Sequence, residues 1–144
     1  MSLEENKATD LRFFEEVVNK GNMALLDELL TPDFVDHSAT PGTGSDRESY
    51  GQMFLALQAA FPDFHSTLED MFGEGDKVVQ RFTAGGTHKG EFMGIPATGK
   101  QVTITGIAIH HFRDGKIAAN WADMDMLGFL QQLGVIPTPG QAAR

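Results

Sequence analysis

Near its C-terminal end the chain reads Ile117-Ala-Ala-Asn-Trp-Ala-Asp-Met-Asp-Met126, which places Trp121, Asp123 and Asp125 at every second position. In an extended strand these three share one face, and Asn120, Ala122 and Met124 take the other. Two carboxylates beside an indole could move protons for a bound molecule, whereas the same residues on a solvated face would be ordinary. For Asp123 the simplest reading is solvent at the frayed end of the strand. Arg81 lies inside the apolar run "KVVQRFTA", where an arginine either extends its head to water or pairs with an acid. Paired with Asp123 or Asp125 it would complete an Asp-Arg-Asp group suited to activating water. Three more positions carry imidazoles of interest. His37 ends "DFVDH", and an exposed loop histidine is its plain reading. His110 and His111 are adjacent. Neighbours in a strand point to opposite faces, so these two cannot easily hold one ion together. His111 shares its face with Ile107 and Ile109, His110 with Ala108 and Phe112; alternation alone does not say which face meets a pocket.

The stretch "AGGTHKGEFMGIPATGK" at 84–100 contains five glycines and His88. A phosphate-binding loop needs a strand, then glycines, then a helix N-terminus aimed at the anion. Here strands are expected on both sides, and Gln101 stands where Ser or Thr would follow Gly99-Lys100. His88 has no second ligand at metal-binding spacing, so no metal is expected. The segment reads as a sharply folded connection, its glycines permitting close approach and Pro96 stiffening the crossing. His88 is then a hydrogen-bonded connection residue or a residue at a pocket rim.

These side chains need a scaffold, and the 144-residue length suits one domain spanning 1–144, with a loose tail at 136–144. There is no cysteine, which excludes disulfides and thiolate chemistry. The formal charge of −9 makes nucleic acid and anionic membrane poor partners. No long apolar run or signal-like N-terminus occurs, and a cytoplasmic protein is expected by default. Leu11, Phe14 and Val18 predict a first helix stopped at Gly21, followed by a short helix through "MALLDELL" ending near Pro32. Ser45 and Glu48 read as a capping box before Tyr50, Met53, Phe54, Leu57 and Phe61, a helical stripe closed by Pro62. Alternation then predicts strands near 64–72, 76–85, 87–92, 101–112 and 116–126, with turns at "GEGD" and "RDGK". A last helix, "LGFLQQLG", ends at Gly134. Helices followed by antiparallel strands is the α+β pattern, in which a curved sheet wraps over the helices. Phe54, Leu57, Phe61, Phe92 and Met93 are core candidates, some of which would line any pocket.

"GTHKGEFMGIPATGK", "GKIAANWADMDMLGFLQQLG", "DFVDH" and "FPDF" together resemble the SnoaL-like polyketide cyclase family of the nuclear transport factor 2-like superfamily. The resemblance implies a cone-shaped α+β barrel of the cystatin-like type. It also implies an apolar pocket for a hydrophobic small molecule, with Trp121, Asp123, Arg81, His88, Phe54 and Phe61 as candidate contacts. The family pattern Trp-x-x-x-Asp-x-Leu-Gly places an acid/base aspartate at Asp125, with His37 as a pocket histidine and His111 as a neutral donor to an enolate. An aspartate sheltered in such a pocket would be pushed toward the working pH. The implied reaction is an intramolecular aldol closure of a polyketide ester, needing no cofactor and no metal, in a protein that pairs with a second copy of itself. Epoxide hydrolysis, dehydration or isomerisation on the same fold is the enzymatic alternative, and a non-catalytic binding or dimer scaffold is the other.

Overall fold

Ser2 and Glu5 close a capping box at the start of helix α1 (Leu3–Phe13), each bonding the other's backbone N–H. The computed structural model describes residues 1–139. After Phe13 the helix widens into a π-helical turn, Phe14–Val18. A 3₁₀ turn (Met23–Leu25) and the one-turn helix α2 (Leu26–Leu29) lead into strand β1 (Leu30–Asp36). Then follow α3 (Arg47–Ala60), β2 (His65–Glu74), β3 (Lys77–Thr87), β4 (Gln101–Arg113), β5 (Lys116–Met124) and α4 (Met126–Leu133). The strands form a five-stranded curved sheet in the order β1-β5-β4-β3-β2, antiparallel throughout except for the parallel pair β1–β5. This is the expected α+β architecture.

Three local expectations are corrected. The segment 30–36 is a strand, not the end of a helix; Pro32 is accommodated because β1 is an edge, where a missing N–H breaks no ladder. The stretch 88–100 contains no strand beyond one isolated bridge, Phe92 with Ile95, because hydrogen bonds from His88 N–H to Lys100 O and from Gly99 N–H to His88 O tie it into a loop. The cap of α3 is Asp46, whose carboxylate accepts the Ser49 N–H. The "RDGK" turn forms as read: Asp114 (φ 53°) and Gly115 (φ 81°) both take the positive φ that a two-residue type I′ hairpin requires. Of the tail expected to be loose, 136–139 lies outside any helix or strand and 140–144 lies outside the described residues.

One face of the sheet is covered by helices. Val78 and Gln80 of β3, Ala108, His110 and Phe112 of β4, and Asn120 of β5 point toward them and are buried. Phe13, Val17, Leu30, Phe34, Tyr50 and Phe54 fill the space between. Fully burying a side chain of this kind is worth roughly 1.5–3 kcal/mol, so this cluster dominates the fold. A second cluster, Ala60, Phe61, Val102, Phe129 and Leu133, anchors α4 at the other end. Among the described residues, the opposite face of the sheet carries no helix. Among the described residues, no helix is long and apolar enough to cross a membrane.

Candidate active site

Strand parity, read through the pairing register, sorts the chemical side chains between the two faces. Trp121 pairs with Ile109 and Asp123 with Ile107, and Ile107 pairs in turn with Arg81, so all five lie on the open face. There they border a depression of about 660 Å³, with Phe82, Thr105, Gly106, Ala122, Met124, Asp125 and Ser38 completing its lining. Its apolar lining includes Trp121, Ile107, Ile109 and Met124, which remain 40%, 49%, 36% and 42% exposed. His37 leaves the end of β1 through a bond from its N–H to Asn120 O, and its ring stacks on Trp121 at 4.4 Å and 7°.

Asp125 follows β5 directly, its N–H bonded to Thr105 O. It caps α4: Oδ1 accepts the Gly128 N–H at 3.0 Å. A Cβ on Gly128 would stand 2.3 Å from Oδ2, so the carboxylate occupies this place only because residue 128 is glycine. The side chain is exposed. The shelter expected for Asp125 is therefore absent, because the strand ends at Met124 and turns outward into the helix instead of continuing along the core. Arg81 is exposed and forms no ion pair with Asp123 or Asp125 among the described residues. The Asp-Arg-Asp group is not assembled, since the Ile107 position separates Arg81 from Asp123 across the sheet.

The remaining candidates lie elsewhere. His111 sits near the far end of the hairpin, with Nε2 2.8 Å from Asp76 Oδ2, and this bond lowers the Asp76 pKa. His88 is fully buried, not at a rim. Its Nδ1 faces Thr98 Oγ1 at 3.0 Å and accepts the Thr98 N–H, and its ring stacks on Phe61. That role follows from the long irregular segment around it, whose backbone groups need buried partners. Phe54 packs edge-on against Phe13 and Tyr50, and Phe61 against Phe92, so both are core. The fold thus gathers Arg81, Trp121, Asp123 and Asp125 with His37 alongside, and does not bring His111, His88, Phe54 or Phe61 to the same place.

The helix-covered face holds a polar group that sequence reasoning missed. Asp10 on α1 is fully buried; one oxygen bonds His110 Nδ1 and the other accepts Gln80 Nε2–H at 2.7 Å. His110 Nε2 faces the Tyr50 hydroxyl at 3.4 Å. Burial, with the nearby Asp36 and Asp10 carboxylates, pushes the Tyr50 pKa well above its ordinary value. Asn120, across the ladder from His110, donates to Asp36 Oδ1 at 2.9 Å, and its own Oδ1 has no hydrogen-bond partner among the described residues. The available signal was an acid one helical turn before the apolar residues Phe13 and Phe14, a poor site for a charge without a buried partner.

A family profile described as SnoaL-like polyketide cyclase matches residues 8–133. No curated protein matches the chain. Among solved structures, TsrD from Streptomyces laurentii is 29% identical, with 94% of this chain and 99% of that one aligned at a TM-score of 0.85. AclR from Streptomyces galilaeus, provisionally assigned as a hydroxylase, is 29% identical over 94% of this chain and 100% of its own, at a TM-score of 0.82. IdmH from Streptomyces antibioticus, provisionally assigned as a polyketide cyclase, is 36% identical over 90% of this chain and 98% of its own, at a TM-score of 0.77.

Proposed function

Because the chain belongs to the SnoaL-like polyketide cyclase family, we propose that it is a cofactor-free acid/base enzyme closing a ring in a hydrophobic polyketide ester. The observation that carries this reading is the convergence of Trp121, Asp123, Arg81 and Asp125 on one depression large enough for an aromatic ligand. Asp125 uses the carboxylate to remove a proton from a carbon flanked by carbonyls. The C–H electron pair passes into an enolate, whose carbon attacks a second carbonyl of the same molecule and forms the new C–C bond. The resulting alkoxide takes the proton back from Asp125, so the enzyme is regenerated. Trp121, with His37 stacked behind it, supplies a flat apolar wall that holds the folded substrate in reacting geometry. Arg81, which borders the depression, attracts the anionic oxygen of the enolate in this reading.

A second copy of the chain completes this site in our reading. Val35, Phe72, Ile107, Ile109 and Trp121 are exposed on the open face of the sheet, and pairing two such faces would bury them and shield the depression from bulk water. Light scattering checks this: a dimer is expected, and a strict monomer contradicts it. The principal test is turnover of an aromatic polyketide ester followed by absorbance. Asp125→Asn is expected to fold and to lose turnover; unchanged turnover removes the assigned role.

The exposure of Asp125 and its engagement as a helix cap favour a second reading, a non-catalytic ligand-binding or dimer scaffold. That reading expects ligand binding with no turnover in wild type, and binding unaltered by Asp125→Asn.

A further inference from the structure

Strand β1 runs parallel to β5 with Asp36 beside Asn120, and β1 ends there. Two residues further along each chain, Ser38 reaches Ala122, and its Oγ accepts the Ala122 N–H at 2.7 Å. The hydroxyl oxygen thus replaces the main-chain acceptor that β1 no longer offers, and a strand N–H stays satisfied. Ser38 also borders the open-face depression. We propose that its hydroxyl is the donor that holds a carbonyl or ester oxygen of the ligand bound there. The proposal rests on the reading of that depression as a ligand site and adds the group that orients the guest.

The serine is held from behind. Its N–H donates to Asp36 Oδ1 at 3.0 Å, and that same oxygen accepts Asn120 Nδ2–H at 2.9 Å. Asp36 and Asn120 are both buried, so Ser38 is tied to the interior while its side chain stays exposed. A serine hydroxyl has one hydrogen to give and two lone pairs. At Ser38 one lone pair is occupied by Ala122, and the hydrogen meets no acceptor among the described residues. An N–H bonded to the oxygen also polarises the O–H and strengthens it as a donor.

Thr105, the other hydroxyl in the lining, has no such bond among the described residues, so nothing fixes the direction of its proton. A donor set in place before the ligand arrives costs little ordering on binding. The guest that suits it carries an acceptor oxygen at the β5 margin and a flat apolar body against Trp121, Ile107 and Ile109. Arg81 borders the same depression from β3, on the far side of β5 and β4. A ligand engaging both groups therefore bears acceptor oxygens toward its two ends. An aromatic polyketide ester does so; a plain hydrocarbon does not.

The test follows the indole N–H signal of Trp121, the sole tryptophan of the chain, by NMR. Phthalide, an aromatic ester, and indane, a hydrocarbon of the same ring shape, are titrated separately. Both are expected to displace the signal in wild type, since both have the flat body. In Ser38→Ala the ratio of phthalide affinity to indane affinity is expected to fall about 5-fold, in keeping with the loss of one neutral hydrogen bond. A distorted rim lowers both affinities and leaves the ratio as the readout. Should Ser38→Ala unfold, Ser38→Cys decides through the same fall, its thiol being a weak donor. An unchanged ratio in the folded variant, or no displacement of the wild-type signal by either ligand, overturns the proposal. Turnover is measured apart: its absence removes the cyclisation and leaves the ratio untouched.

Discussion

The two faces of this sheet carry similar side chains in opposite circumstances. Beneath the helices, the fully buried Asp10 has a histidine on one oxygen and an amide on the other, with Phe13 edge-on to that histidine. On the open face, Asp123 and Asp125 stand in solvent beside an exposed Trp121, and the Asp125 carboxylate accepts from the first turn of α4. A carboxylate in the first setting cannot lose a partner cheaply, because water is not there to replace it. One in the second can be altered at small cost to the fold, and whatever chemistry it performs must draw its shelter from a ligand or a second copy. Catalytic promise and structural cost are therefore distributed differently across a few ångströms of backbone.

The largest expected effect breaks the covered face. Asp10→Ala leaves His110 and Gln80 without their shared acceptor and is expected to destabilise the protein by about 3–5 kcal/mol, measured by urea denaturation; a change below about 1 kcal/mol on the same scale would make the network no different from a surface pair. Gly106→Ala probes the floor between the faces. Its Cβ would stand 2.6 Å from Phe82 Cζ and 2.7 Å from Met124 Cγ, and a cost of about 1–2 kcal/mol is expected from overpacking. The open face should give less. Asp125→Ala removes the α4 cap and is expected to cost about 1 kcal/mol by the same denaturation. Gly128→Ala displaces the same carboxylate without deleting it, so turnover should fall in both variants if the group's position matters. Smallest is an acid-limb effect at Asp63, whose pKa is lowered by the Thr87 N–H at 2.6 Å and hydroxyl at 2.8 Å. A carboxylate with a depressed folded pKa stabilises above its unfolded value of about 4, and that contribution is lost as pH falls through the folded value. Asp63→Asn is expected to flatten the fall of melting temperature in that window and to change little at pH 7.

Much of the scaffold was legible because its signals are local. The stripe Tyr50–Phe61 is a helical period, and Asp114-Gly115 can take two positive φ angles in succession. The Gly134 C-cap has φ 83°, as a helix-stopping glycine should. The misread places are those where a distant partner decides. Leu30–Asp36 becomes a strand by lying parallel to β5, a pairing across more than eighty residues that local propensity does not encode. For His88 the sequence left two readings, a hydrogen-bonded connection residue or one at a pocket rim, and the loop folds back and buries it against Phe61. The candidate site was half legible: the parity that groups Trp121 with Asp123 is written in the sequence, but the termination of β5 at Met124, which turns Asp125 outward, depends on how α4 packs.

From the sequence alone come the helices, strands β2 to β5, the hairpin turns, the family resemblance, and the two-residue alternation that separates Trp121 and Asp123 from Asn120 and Ala122. Which of those two sets meets the helices came only from the tertiary structure. Alternation defines two faces that are locally equivalent, and burial of one arises when α1 and α3 dock on it. The same docking brings Asp10 to His110 across one hundred residues, a contact whose energy exists only once water has been excluded from both.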